Sequence, residues 1–135
     1  MATSVAICNT RKQYMKKLLA ILLLLASSVH AEEFSEWDAT DKRLLWAGQA
    51  LIAADWAQTR QIAKNPDQYS EKNRYLGEHP SVGKVNTYFV SALAAHYYTA
   101  AYLSGSDRTA MLTGIVAVEA YVVNRNAKLG LKIAF

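Results

Sequence analysis

Between Val85 and Ser106 the chain carries no Lys, Arg, Asp or Glu, and His96 is its only side chain that titrates near neutrality. A surface helix needs a polar face opposite its apolar stripe. Here water is offered Asn86, Thr87, Ser91 and tyrosine hydroxyls. Two further stretches are almost as bare. From Leu44 to Thr59 the strongly polar side chains are Gln49, Asp55, Gln58 and Thr59, and from Thr109 to Val123 the single charge is Glu119. Ala, Leu, Ile, Val and aromatic residues fill the rest without proline, so each stretch reads as helix. Turn-forming residues separate them, from Asn65-Pro66 to Ser81-Val82-Gly83 and at Ser104-Gly105-Ser106-Asp107. Asp107 is expected to cap the third helix. The reading is an all-α chain with helices over about 41–63, 84–103 and 108–126, forming a small bundle within one domain, 32–135.

Residues 1–31 differ in kind. They hold Arg11, Lys12, Lys16 and Lys17 and no acid, so the whole chain's net charge of +4 and pI near 9.2 belong to this leader. Without it the chain is formally neutral, which removes the electrostatic footprint that nucleic-acid binding requires. Cys8, the single cysteine, lies there too, so neither a disulfide framework nor a cysteine metal site is available. Met15-Lys16-Lys17, the apolar run Leu18–Ala26 and Val29-His30-Ala31 are in order the basic region, apolar core and small-residue cleavage pattern of a secretion signal. The expected start is Met15 and the expected mature amino terminus is Glu32; the alternative is an uncleaved anchor.

The charge-poor stretches point to a bilayer, and the flanking charges agree. With Glu32 outside, three spans place Arg60, Lys64, Lys72, Arg74, Lys84, Arg125, Lys128 and Lys132 inside, against Lys42, Arg43 and Arg108 outside. That asymmetry follows the positive-inside rule. Trp37, Trp46, Tyr88 and Tyr102 fall near the expected interfaces. The expected location is therefore a bacterial inner membrane, with the mature amino terminus periplasmic and the carboxyl terminus cytoplasmic. Pulling the other way, the third stretch is short for a span of about 20 residues. A mean hydropathy of −0.02 is also low for a polytopic chain. A soluble exported α-bundle stays open as an alternative.

Each helical stretch holds one ionisable side chain in its apolar interior: Asp55, His96 and Glu119. Such residues face partners or wet cavities, because a charge at mid-helix in lipid costs roughly 2.5–3.5 kcal/mol. Helical rise puts Asp55 and Glu119 each about 10 Å from the same end of the bundle, with His96 about one turn further. Thr59, four residues after Asp55, shares its face and is placed to donate to the carboxylate. Small-residue rows at Ser91, Ala95, Thr99 and at Ala92, His96, Ala100 allow close helix approach. The set reads either as an ion, proton or ligand site or as structural pairing between helices, Asp–His or His–Glu. Carboxylates and imidazole suit a divalent ion, although no metal or cofactor is specified. No phosphate loop, serine-nucleophile motif or His-x-x-x-His pair occurs, so catalysis is the least supported role.

The segment Asp67–Ser81 is long for a connection, either functional or a solvated linker. Gly77 is a candidate for positive φ. Asp55-x-x-x-Thr59, followed by Glu71-x-Asn73 and Leu76-Gly77-x-His79-Pro80, resembles a loosely defined group of small bacterial and phage integral membrane proteins. The resemblance covers about residues 50–90 and departs at Arg74, where that group has proline. It implies membrane topology and joins Glu71, Asn73 and His79 to Asp55 and Thr59 at the bundle's inner mouth; it brings no activity with it. The expected function is a small membrane protein acting by binding, as a structural or regulatory partner of another membrane protein or of a second copy. The alternative is ion or proton binding through the Asp/His/Glu set.

Overall fold

Each helix begins where a short polar side chain satisfies its first amides. Asp38 accepts the Asp41 amide at 2.8 Å and starts α1, Ala39–Lys64. Ser81 accepts the Lys84 amide at 3.2 Å and starts α2, Val82–Tyr102. The third helix, α3, Gly105–Lys128, is preceded by Ser104 at the cap position. Asp107 therefore sits inside the first turn, where its charge complements the helix dipole, and not at the cap as expected. The last turn of α3 carries Arg125 and Lys128, and Gly130 takes φ +85 just beyond it. Ahead of α1 lies one 3-10 turn, Phe34–Glu36. These are the elements of a computed structural model that describes residues 31–135, of which Glu32–Phe135 form one compact unit. The expected signal segment, with Cys8, lies outside the described residues.

The all-α architecture of three helices stands, and among the described residues there is no strand. No described helix is long and apolar enough to cross a membrane. The reason is in the sequence. Helix α1 carries Asp41, Lys42, Arg43, Asp55, Arg60 and Lys64, α3 carries Asp107, Arg108, Glu119, Arg125 and Lys128, and α2, charged only at Lys84, is rich in Ala, Tyr, Ser and Thr.

Helix α1 is the spine. Both other helices pack along it and scarcely touch each other, so they diverge from it like the arms of a wedge. Trp37, Leu45, Ala100, Ala101 and Leu112 form the core at one end, and Ile52, Leu76, Val85 and Phe89 the core at the other. Burial of each such large apolar side chain contributes about 1.5–3 kcal/mol. The glutamines of α1 tie the arms on: Gln49 donates to the Leu93 carbonyl of α2 at 3.1 Å, and Gln58 to the Val123 carbonyl of α3 at 3.2 Å. Gly48 lets α2 approach, because a Cβ there would lie 2.6 Å from His96 Cε1. The row Ala92, His96, Ala100 faces this contact, whereas Ser91, Ala95 and Thr99 are exposed. Trp37, expected at a membrane interface, is buried instead. Beyond α3 the tail returns to α1, where the Gln61 amide both donates to the Lys132 carbonyl and accepts its N–H, at 2.9 and 3.0 Å.

Candidate functional site

The wedge between α2 and α3 holds a half-open cavity of about 630 Å³, floored by α1 and bordered at one end by the loop 65–81. Asp55 and Thr59 reach it from α1, His96 from α2 and Glu119 from α3. Glu71, Lys72, Asn73 and Leu76 reach it from the loop. Six of the seven residues singled out by sequence, Asp55, Thr59, His96, Glu119, Glu71 and Asn73, thus border one space. The seventh, His79, is exposed and does not border it. The remaining wall is mostly apolar, with Ile52, Tyr88, Phe89, Ala92, Met111, Ile115 and Val122.

Local chemistry explains how the loop presents Glu71. Its Oε1 accepts the amides of Lys72 and Asn73, both at 2.7 Å, which fixes the carboxylate against its own backbone. Asn73 Oδ1 accepts the Tyr75 amide at 3.0 Å, and the Asn73 carbonyl accepts the amides of Leu76 and Gly77. Gly77 takes φ +77, as its place in the turn requires. Leu76 then plugs into the core at 2 % exposure and Lys84 Nζ donates to its carbonyl at 2.7 Å. The same turn carries His79 outward.

Asp55 is held by a residue that sequence reasoning passed over. Asn126 Nδ2 donates to Asp55 Oδ1 at 2.8 Å, whereas the expected Thr59 hydroxyl is 3.5 Å from the same oxygen. Burial, with the charges of Glu119 and then Glu71, raises the Asp55 pKa to about 7; Thr59 and Arg125 oppose this only in part. Burial likewise raises the Glu119 pKa and lowers that of His96. Near neutrality the site thus favours a neutral imidazole and a carboxyl poised between its two forms.

The interhelix Asp–His or His–Glu pairing expected as structural glue is not formed. Neither nitrogen of His96, itself 6 % exposed, has a hydrogen-bond partner, and neither does Glu119 Oε2. The acids and the imidazole border the same space without meeting. Among the described residues no three His, Cys, Asp or Glu side chains converge on a point suited to a metal ion. Comparison with protein-family models, with curated proteins and with solved structures returns no match.

Proposed function

We propose that the protein works by binding a small amphiphilic molecule in the cavity between α2 and α3. The observation that carries this reading is the set of buried, unpartnered polar atoms on two side chains that border the cavity, both His96 nitrogens and Glu119 Oε2. Buried polar atoms are nearly always paired, and each orphan costs about 1–3 kcal/mol. A ligand that pairs them recovers that energy on binding. The volume of about 630 Å³ falls within the range of about 300–1,000 Å³ common for ligand cavities, as does the mixture of apolar wall and few polar groups.

Trp56 provides the readout, since it stacks on the cavity residue Phe89 with ring centroids 6.3 Å apart. Octanol, a neutral amphiphile, should change the tryptophan fluorescence of the native chain saturably. Ala92→Phe fills space from the α2 wall; its fold should survive by circular dichroism while saturable octanol binding disappears. An unchanged octanol isotherm in a folded Ala92→Phe protein would overturn the cavity reading.

A second reading, attachment to the inner membrane, is supported by the exposed apolar and aromatic side chains on both arms. Val90, Tyr98 and Tyr102 on α2 and Val118 and Tyr121 on α3 are all exposed, and contiguous apolar surface commonly marks an interaction site. The protein is then the binding partner of another membrane component. It should co-sediment with membrane vesicles at neutral pH. Its release into the supernatant would discard this reading and leave the cavity reading untouched.

A further inference from the structure

We infer that the cavity selects an organic cation, a primary ammonium on an apolar chain, with its head between Asp55 and Glu119 and its chain along Phe89 and Ile115. This rests on the reading that the cavity binds a ligand. Three carboxylates face the space from three separate elements: Asp55 from α1, Glu71 from the loop and Glu119 from α3. Lys72 and Arg125 also border it, but both are exposed and lie where solvent screens them. The partly buried acids act through a medium of lower dielectric, where a charge counts for more.

The hydrogen-bond chemistry selects the same ligand. An ammonium brings three donors and no acceptor. Glu119 Oε2 is an unpartnered acceptor, and the Asp55 carboxylate has its one short bond, to Asn126, on Oδ1. His96, buried at 6 % exposure and bordering the cavity, is unpartnered at both nitrogens, and its neutral ring sets no like charge against the cation. A carboxylate or phosphate head would instead meet acceptors and like charge. Seating a cation also drives Asp55 to its ionised form, so binding releases a proton wherever that carboxyl is protonated beforehand. The groups facing Asp55 in this titration are Glu119 and Arg125 of α3 and Glu71 of the loop. Lys72 and His96 border the same space.

Octylammonium, octanol and octanoate, titrated against the full chain and followed by tryptophan fluorescence, separate head-group charge from chain burial. At about pH 8, octylammonium should bind about tenfold more tightly than octanol, and octanoate most weakly. Octylammonium affinity should fall by up to about tenfold per pH unit below about 7, with octanol flat. Asp55→Asn should erase most of the octylammonium preference and its pH dependence. Glu119→Gln tests the same head-group site should Asp55→Asn fold poorly. Octanoate binding more tightly than octylammonium, or equal affinities for octylammonium and octanol at about pH 8, would overturn the cation assignment while leaving a binding cavity in place. If none of the three probes binds, both readings fall.

Discussion

Asp55→Asn should stabilise the protein by about 4 kcal/mol near pH 8 and by very little near pH 4. The Asp55 carboxyl has a pKa of about 7 in the folded chain against 3.8 for an unperturbed aspartate. A carboxyl whose folded pKa is raised contributes stability that is fully present below the unfolded value. That contribution is lost as pH rises, and the loss is complete above the folded value. The window here runs from about 4 to about 7, and about three units at 1.36 kcal/mol each give the magnitude. Asparagine carries no charge to bury and keeps an oxygen to accept from Asn126, whose bond to Asp55 is 2.8 Å long. For a domain near 100 residues the shift in midpoint should exceed about 10 °C. Glu119, raised in the same direction, adds to the native chain's loss of stability on the alkaline side. His96 works in the opposite sense. Its folded pKa is lowered, so its contribution is present above 6.5 and is lost as pH falls towards the folded value. The variant should therefore keep only the smaller and opposed contributions of Glu119 and His96, a shallow curve where the native chain falls. Thermal melts at intervals from about pH 4 to about pH 8 check this. Parallel curves for the two proteins would mean that Asp55 is ionised without cost in the fold.

What could be read from sequence follows from how rare each signal is. Charge is so scarce in the three helical stretches that Asp55, His96 and Glu119 stand out without any structure, and the fold sets all three on one cavity. Asn126 was missed because the third helix was expected to end in the polar run Asn124-Arg125-Asn126, whereas α3 continues to Lys128. A usable signal existed. Asn126 lies seven residues after Glu119, two helical turns on, and so shares its face. Arg108 was counted only as a flanking charge, since nothing in its neighbourhood foretells burial at 2 % exposure. The bilayer expectation began from absent charge. Helices of alanine, serine, threonine and tyrosine lack charge too, yet are not apolar enough to span. The loop motif placed Glu71 and Asn73 at the cavity mouth, but the turn through Gly77 that orients them also sends His79 to solvent.

Arg108→Met should cost about 3–5 kcal/mol, the usual penalty for removing one partner of a buried charged network. Arg108 lies in the first turn of α3 and closes the end of α2, where helix carbonyls lack partners of their own. Its Nε donates to the Ala100 carbonyl at 2.8 Å, and one terminal nitrogen donates to both the Leu103 carbonyl and the Glu32 carboxylate. The guanidinium lies 4.2 Å from the centre of the Trp37 ring and 3.8 Å from Asp41, which in turn accepts from Thr109 at 2.7 Å. Methionine preserves most of the packing and none of these bonds, leaving the buried Asp41 without its neighbouring cation. Removing that charge as well, in Arg108→Met with Asp41→Asn, should recover part of the loss, because the uncompensated anion is the larger component. Urea unfolding of the single and double variants measures the recovery. A single-variant loss below about 1 kcal/mol would show that water reaches the site and solvates Asp41. The consequence extends to the cavity. Arg108 joins the end of α2 to the start of α3, at the apex from which the two arms diverge along α1. A chain that keeps its helices but loses this clamp should bind octanol more weakly than the native protein, although no atom of Arg108 borders the ligand space.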